Sequence, residues 1–254
     1  MELRLTPDDT VGRPVPPIDN LVLSKGEQPM PWFLKFYRSA IGKKAVMAVT
    51  GIFIFAWITA HMVGNLKIYL GPQALNHYAE WLRVIGGPAF PTSAVLWITR
   101  ALLIVATWFH IQAATQLTLM NWKARPVGYR DRDYPAATYA ARTMRWGGVI
   151  IVLFVIWHLL DLTFGTVNPN FIQGDPYHNV VASFSVWWIA SFYVIANVAL
   201  GFHLYHGLWS LFQSLGWNNP RFNLWRRYFA TAFALIIAIG NISIPVSVLA
   251  GWVR

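Results

Sequence analysis

Five apolar segments, each long enough to form a helix that crosses a lipid bilayer, constrain the fold of this chain more than any other feature. They occupy about residues 44–70, 92–122, 142–166, 185–215 and 225–252. About 20 helical residues cross a bilayer core of about 30 Å, and these segments lack the short alternating pattern of transmembrane β-strands. The pattern predicts an all-α membrane protein with five transmembrane helices, four of which form a ligand-binding bundle.

The composition supports a membrane environment and limits the chemistry. Hydrophobic residues make up 56% of the chain and charged residues only 12%, against about 25% charged in soluble domains. The net charge of +10 is typical of basic cytoplasmic loops in a protein this apolar, so we expect membrane lipid and no nucleic acid as a partner. The chain has no cysteine, which excludes thiolate metal sites and self-ligated iron–sulfur clusters. A redox centre here would need histidine or methionine.

The distribution of lysine and arginine predicts the orientation. These residues concentrate before the first span, between the second and third, and between the fourth and fifth, whereas the other face has only Lys67, Arg83 and Arg254. By the positive-inside rule the N-terminus is cytoplasmic and the C-terminus lies outside. Residues 1–31 are polar and proline-rich, and we expect a cytoplasmic extended arm that is either a disordered tail or a docking segment. Residues 32–254 form the transmembrane domain, which starts with an interfacial segment.

Four histidines lie inside four of the apolar spans: His61, His110, His158 and His203. Burying histidine in a membrane is costly unless it binds something. At about 1.5 Å per residue, His61 and His158 fall in the outer half of the bilayer, whereas His110 and His203 fall in the inner half. Two bis-histidine haem sites at two depths require this arrangement. Hydrogen-bonded packing is the alternative for any single histidine, and four at matched depths disfavour it.

The fourth span contains two histidines one turn apart. Small residues share a stripe with His203, namely Ala196, Ala199, Gly207 and Ser210, and they leave room for a flat macrocycle. The stripe of His206 carries Phe202 and Trp209 instead. We therefore expect His203 to be the ligand and His206 to be a hydrogen-bond partner near the inner surface.

Several sequence motifs carry a resemblance to a known family. They are Ser39-Ala-Ile-Gly42-Lys43-Lys44 leading through Thr50-Gly51 to His61-Met-Val-Gly64-Asn65, then Asn76-His77-Tyr78-Ala79-Glu80-Trp81, His203 to Gly207, and Gln213-Ser214-Leu215-Gly216. The chain resembles, from Trp32 to its C-terminus, the dihaem cytochrome b membrane anchor of bacterial succinate dehydrogenases and fumarate reductases.

The resemblance implies a function in electron transfer. The first and third spans would supply the ligands of the distal haem b, His61 and His158, and the second and fourth those of the proximal haem b, His110 and His203. A flavoprotein subunit that contains the succinate site and an iron–sulfur subunit would dock on the cytoplasmic face of the bacterial inner membrane. Electrons would pass between the iron–sulfur subunit and a membrane quinone, with menaquinone favoured over ubiquinone, and the anchor itself would have no catalytic residue.

Polar residues at the two ends of the spans are candidates for contacts with haem propionates or quinone. The inner-end candidates for propionates are Arg38, Ser39, Lys43, Arg142 and Arg145, although positive-inside charge explains the basic ones equally well. Arg100 lies within the second span, where a distal propionate or Asp161 could neutralise it. The outer-end candidates for a quinone site with proton transfer are His77, Tyr78, Glu80, Trp81 and Asp161.

One departure and two alternatives limit what the resemblance implies. Some family members carry a glutamate, linked to transmembrane proton movement, two residues before the fourth ligand, where this chain has Gly201; that proton route is not carried over. The alternatives are a cytochrome b anchor of another respiratory dehydrogenase and a non-redox transporter that uses its histidines for a metal or a proton. Quinone species, direction of catalysis and the oligomeric state of the complex stay open.

Overall fold

The structure is a computed structural model that describes residues 30–124, 139–168, 170–217 and 219–254, without the side chains of 139–143. Most of the predicted arm, 1–29, and the side chain of Arg142 therefore lie outside the described residues. The described part contains eight α-helices: α1 (Trp32–Arg38), α2 (Ala40–Asn65), α3 (Pro72–Val84), α4 (Ala94–Lys123), α5 (Tyr139–His158), α6 (Pro176–Phe184), α7 (Trp187–Ser214) and α8 (Asn223–Leu249).

The five predicted spans are confirmed as five helices long and apolar enough to cross a membrane. They are α2 with the 3₁₀ turn that follows it, α4, α5 with a π-helical turn, α7, and α8 with the 3₁₀ turn that precedes it. Their ends differ from the predicted ones by a few residues. Large apolar side chains on their outer faces are exposed, including Ile104, Trp108 and Ile236, as a lipid environment allows.

Two short helices, α3 and α6, lie in the connectors between the predicted spans. Each begins with proline, which suits the first turn because proline lacks only an N–H that would be unpaired there. Gly71, with φ of 93°, precedes Pro72, and the Asp175 side chain caps α6 by accepting a hydrogen bond from the N–H of His178. Both helices lie at the predicted outer end of the bundle.

The long helices pack in a fixed order that leaves two diagonals across the bundle. Helix α2 packs against α4, α5 against α7, and α7 against α8, while α2 also contacts α7 and α8. Gly201 of α7 faces α8, because a Cβ there would lie 3.1 Å from Cβ of Ala238. In the described part of the chain, neither α2 with α5 nor α4 with α7 is among the packed helix pairs. Side chains on these diagonals meet across a gap between helices.

Candidate cofactor-binding site

The four intramembrane histidines meet in two pairs, one on each diagonal. The ring centroids of His61 in α2 and His158 in α5 are 5.9 Å apart, and those of His110 in α4 and His203 in α7 are 6.5 Å apart. These are the same two pairs that the depth estimate selects. Ligation of haem by them stays a prediction.

The spacing within each pair suits two imidazoles on opposite sides of one metal. Imidazole nitrogen bonds a first-row metal such as zinc at about 2 Å, so two opposed rings have centroids about 6 Å apart. Each pair supplies two nitrogen ligands, as a bis-histidine haem requires. No cluster of three or more His, Cys, Asp or Glu side chains suited to a metal ion occurs among the described residues. Two nitrogen donors in each pair match the number of protein ligands that a bis-histidine haem needs.

The pair predicted to lie in the inner half of the membrane, His110 and His203 (the inner pair), is contacted by glycines and by one hydroxyl group. A Cβ on Gly51 of α2 would lie 3.4 Å from Cε1 of His110, and a Cβ on Gly148 of α5 would lie 3.9 Å from Cε1 of His203. The Thr50 hydroxyl lies 3.1 Å from Nδ1 of His110. Nδ1 of His203 is buried with no hydrogen-bond partner among the described residues. One ring is therefore held by a neighbouring helix, and the other keeps an unsatisfied nitrogen.

The other pair, His61 and His158 (the outer pair), lies beside a buried carboxyl group. Asp161 is fully buried on the π-helical turn Leu159–Thr163, and its Oδ2 accepts hydrogen bonds from Ser183 Oγ at 2.7 Å and from the Tyr193 hydroxyl at 2.8 Å. The same hydroxyl lies 3.5 Å from Nδ1 of His158. Tyr193 therefore lies between the carboxyl group and the histidine. π-Helical turns occur frequently at functional sites.

Two further rings lie near the histidine pairs, those of Trp57 and His206. Trp57 stacks on His61, with ring centroids 4.7 Å apart and an interplanar angle of 11°. His206 is half-buried and is not the histidine whose ring faces His110. It has no hydrogen-bond partner in the part of the chain that the structure describes, so the structure does not show the contact predicted for it.

Two of the inner-end basic candidates line a cavity of about 470 Å³, together with Leu34, Tyr37, Gln116, Leu119 and Met120. They are Arg38, which is exposed, and Lys43, which is only 6% exposed. The Lys43 ammonium donates to the Tyr37 carbonyl at 3.0 Å and lies 4.6 Å above the Tyr37 ring. Both cations are available to an anionic group in this cavity.

The other inner-end candidates are placed differently. The Ser39 hydroxyl donates to the Phe36 carbonyl at 2.6 Å and accepts from the Gly42 N–H at 3.0 Å, so it is used to cap α2. Arg145 is exposed, and its guanidinium lies 5.7 Å from the Trp122 ring centre. These contacts account for both side chains without a cofactor.

Arg100 and Asp161 do not meet. The Arg100 side chain is exposed and its guanidinium lies 4.8 Å over the Trp97 ring, one turn nearer the start of α4. A long basic side chain near a helix end can extend to the interface and keep its charge hydrated. The distal propionate contact stays a prediction, while Asp161 is bonded by the hydroxyl groups described above.

The outer-end quinone candidates separate into two groups. Tyr78 and Trp81 stack on α3, with centroids 5.9 Å apart and 24° between planes, and Lys67 lies 5.4 Å from the Tyr78 ring centre. His77 and Glu80 are exposed on the same helix. Asp161 belongs instead to the buried network with Tyr193. The candidates predicted for one quinone site therefore lie in two places, a surface patch on α3 and a buried carboxyl group, and the site stays a prediction.

Polar side chains join α3 to α6 at this end of the molecule. Asn76 donates to Asp175 Oδ1 at 2.9 Å and accepts from the Tyr177 N–H at 3.1 Å. The N–H of His178 also donates to Asp175 Oδ1, at 3.0 Å. This backbone hydrogen bond is the main reason why the pKa of Asp175 is lowered from 3.8, and the Asn76 amide and the nearby His178 add to it. The carboxylate fixes α3 and α6 together.

Comparison with known proteins supports the family that the motifs indicate. Residues 129–241 match the family model described as succinate dehydrogenase/fumarate reductase transmembrane subunit. The matched segment covers less than half of the 254 residues and contains His158 and His203, one histidine of each pair. No curated protein and no solved structure matches the chain. The matched segment is thus similar to the transmembrane subunits of succinate dehydrogenases and fumarate reductases, and the five apolar helices are those of a multi-pass membrane protein.

Several residues of the site have no role in the sequence analysis. Thr50 and Asn76 lie within quoted motifs, but nothing in their spacing identifies the His110 or α6 contact. Ser183 and Tyr193 bond Asp161 from α6 and α7, 22 and 32 residues away in sequence. The available signal was weak, because threonine, serine and asparagine side chains commonly bond nearby backbone groups.

Proposed function

We propose that this protein is the membrane-anchor and electron-transfer subunit of a succinate:quinone oxidoreductase that binds two haem b groups. His61 and His158 ligate the outer haem, and His110 and His203 ligate the inner one. Each haem would supply one-electron redox chemistry within the membrane. The chain itself contains no cysteine. The observation that carries the proposal is the meeting of four histidines in two pairs, each with centroids about 6 Å apart, on the two diagonals of one bundle.

The partners follow from charge and family. The end of the bundle that contains Lys43, Lys44 and Lys123 is basic, and by the positive-inside rule it faces the cytoplasm of a bacterial inner membrane. An iron–sulfur subunit and a flavoprotein subunit with the succinate site dock there, as the family match supports. The inner histidine pair lies nearer this end than the outer pair, so a haem held by His110 and His203 would be the one nearer to the iron–sulfur subunit.

The quinone site is proposed at the opposite end. Tyr78 and Trp81 offer stacked aromatic surface beside the end of α2, and a quinone ring binds well against such surface. His77 and Glu80 are exposed next to them and are the proposed proton-transfer groups of this site. Asp161 is a buried carboxyl group, and the Tyr193 hydroxyl links it to His158 of the outer histidine pair. Menaquinone is the proposed species.

Haem content and reduced-minus-oxidised spectra of the purified complex test the proposal. The wild-type complex should contain two haem b per anchor, and His203→Ala should contain one. His206→Ala is the matched control, because it removes a histidine one turn away on the same helix and should leave both haems in place.

Each outcome decides one part of the proposal. A purified complex without low-spin b-haem bands would overturn the redox assignment. Loss of one haem in His206→Ala, with two retained in His203→Ala, would show that the ligand choice on α7 is wrong. His61→Ala should remove the other haem, and electron paramagnetic resonance should then show that the signal lost differs from the one lost in His203→Ala.

A further inference from the structure

We infer that Thr50 is a positioning residue for His110. Its hydroxyl oxygen accepts the hydrogen on Nδ1 of that imidazole and so leaves Nε2 as the nitrogen available to a metal. The inference rests on the proposed function only for the identity of the group bound at Nε2. The hydrogen bond and the ring orientation are properties of this chain.

The direction of the hydrogen bond follows from where the threonine hydrogen goes. A threonine hydroxyl has one hydrogen and two lone pairs. The Thr50 hydroxyl lies 2.7 Å from the Val46 carbonyl oxygen, the ideal distance for an O–H···O bond, and a carbonyl can only accept. The hydrogen is thereby committed, and the 3.1 Å contact with His110 Nδ1 must be an N–H···O bond, for which that distance is normal.

Gly51 shows independently which edge of the ring faces α2. A Cβ at this position would lie 3.4 Å from Cε1 and 3.8 Å from Nδ1 of His110. The Nδ1–Cε1 edge therefore lies against the backbone of α2, which is close because residue 51 has no side chain. Nε2 is the ring nitrogen that does not take part in this contact. A neutral imidazole with hydrogen on Nδ1 has its lone pair on Nε2.

Thr50 bonds the His110 ring from α2, where the backbone of Met47 also bonds this histidine. Nδ1 of His203 is buried and unpartnered, so α7 supplies no comparable restraint for its own histidine. A hydrogen bond to the second nitrogen of a metal-bound histidine fixes the tautomer, orients the ring and raises its basicity. A more basic ligand favours the oxidised metal. Loss of the Thr50 hydroxyl should therefore raise the midpoint potential of the inner haem.

Thr50→Val tests the inference because valine keeps the shape of threonine and removes the hydroxyl. Thr59→Val is the matched control: Thr59 lies on the same helix, is also half-buried, and its hydroxyl bonds only to the Phe55 carbonyl, at 2.9 Å. Thr50→Ser restores the hydroxyl without the methyl group. Redox titration of the purified complex, with electron paramagnetic resonance of the oxidised haems, measures each site separately.

The expected result is an upward shift of one haem potential and a changed resonance signal for that haem alone in Thr50→Val. Thr59→Val should leave both haems as in wild type, and Thr50→Ser should recover the wild-type values. Equal behaviour of the Thr50→Val and Thr59→Val variants, in a complex that contains both haems, would overturn the role of Thr50 while the proposed function stands. A wild-type complex without haem b would overturn the proposed function instead.

Discussion

The Tyr193 hydroxyl donates a 2.8 Å hydrogen bond to Oδ2 of Asp161, a carboxyl group that is fully buried between α5, α6 and α7. Ser183 donates to the same oxygen, and Oδ1 has no partner among the described residues. The Tyr193 hydroxyl also lies 3.5 Å from Nδ1 of His158. The Tyr193 side chain therefore links the outer histidine pair to Asp161, a buried carboxyl group that accepts hydrogen bonds on only one of its oxygens among the described residues.

Tyr193→Phe should destabilise the protein more than an ordinary loss of one hydrogen bond. It leaves the buried carboxyl group with a single donor, and an unsatisfied buried polar group costs about 1–3 kcal/mol. Tyr177→Phe is the control, because its hydroxyl donates to the Arg254 carbonyl at an exposed position and should cost about 0.5–1 kcal/mol. Thermal unfolding in detergent compares the two variants, and an equal loss in both would contradict a special role for the buried bond.

The fold follows from the sequence because membrane spans obey length and composition rules that need no tertiary information. An apolar run such as 185–215 leaves few alternatives in lipid, where the backbone must bond internally. The pairing of His61 with His158 and of His110 with His203 follows for the same reason, since direction and rise fix the depth of each residue. The lengths of the predicted helices were therefore enough to predict the approximate depth of each histidine pair.

The contacts around the histidines did not follow from the sequence, because they depend on rotation of each helix about its axis. Thr50 is one of several hydroxyl residues on apolar helices, and only the α2–α4 packing turns it towards His110. Likewise, the sequence shows only that Gly201 is not a glutamate. In the structure this glycine permits close approach of Ala238 on α8. Helices α3 and α6 are not among the predicted elements, because proline and glycine at their starts are also typical of loops.

If the Lys43 ammonium pairs with a propionate of the proposed inner haem, Lys43→Gln should weaken retention of that haem. Hydrogen bonds to charged groups contribute about 1.5–3 kcal/mol, so we expect haem loss to be about tenfold faster or more. Lys44→Gln is the control, since Lys44 carries the same charge one residue away but is exposed and does not line the cavity. Transfer of haem to an external acceptor protein measures the rate. If both variants lose haem at the wild-type rate, Lys43 contributes only positive-inside charge.

Gly64→Ala should lower the melting temperature although alanine is the better helix former by about 1 kcal/mol. A Cβ at this position would lie 2.6 Å from Cε1 and 2.8 Å from the hydroxyl oxygen of Tyr78. The tyrosine would have to move away from its stacking contact with Trp81. Gly147→Ala is the control, because nothing lies within 4 Å of a Cβ there, and it should be neutral or stabilising.

A second substitution separates the clash from other effects of Gly64→Ala. In a Tyr78→Ala background the added methyl group has no ring to displace, so the melting temperature should not fall further. A similar fall in both backgrounds would mean that the glycine is required for a reason other than the approach of Tyr78.

The Asp175 carboxylate should stabilise the joint between α3 and α6 in a pH-dependent way. Its pKa in the folded protein lies below the ordinary value of 3.8, chiefly because the His178 N–H bonds the charged form, with Asn76 adding to this. A lowered folded pKa means that the stabilisation is complete above the unfolded pKa and is lost as pH falls through the folded one. Asp175→Asn keeps a capping side chain, since asparagine caps helices as well as aspartate does, and removes only the titration. The difference in melting temperature between wild type and variant should therefore be fully present near pH 5 and should shrink below about pH 4. A difference that stays constant down to pH 3 would show that the charge of Asp175 does not stabilise this joint.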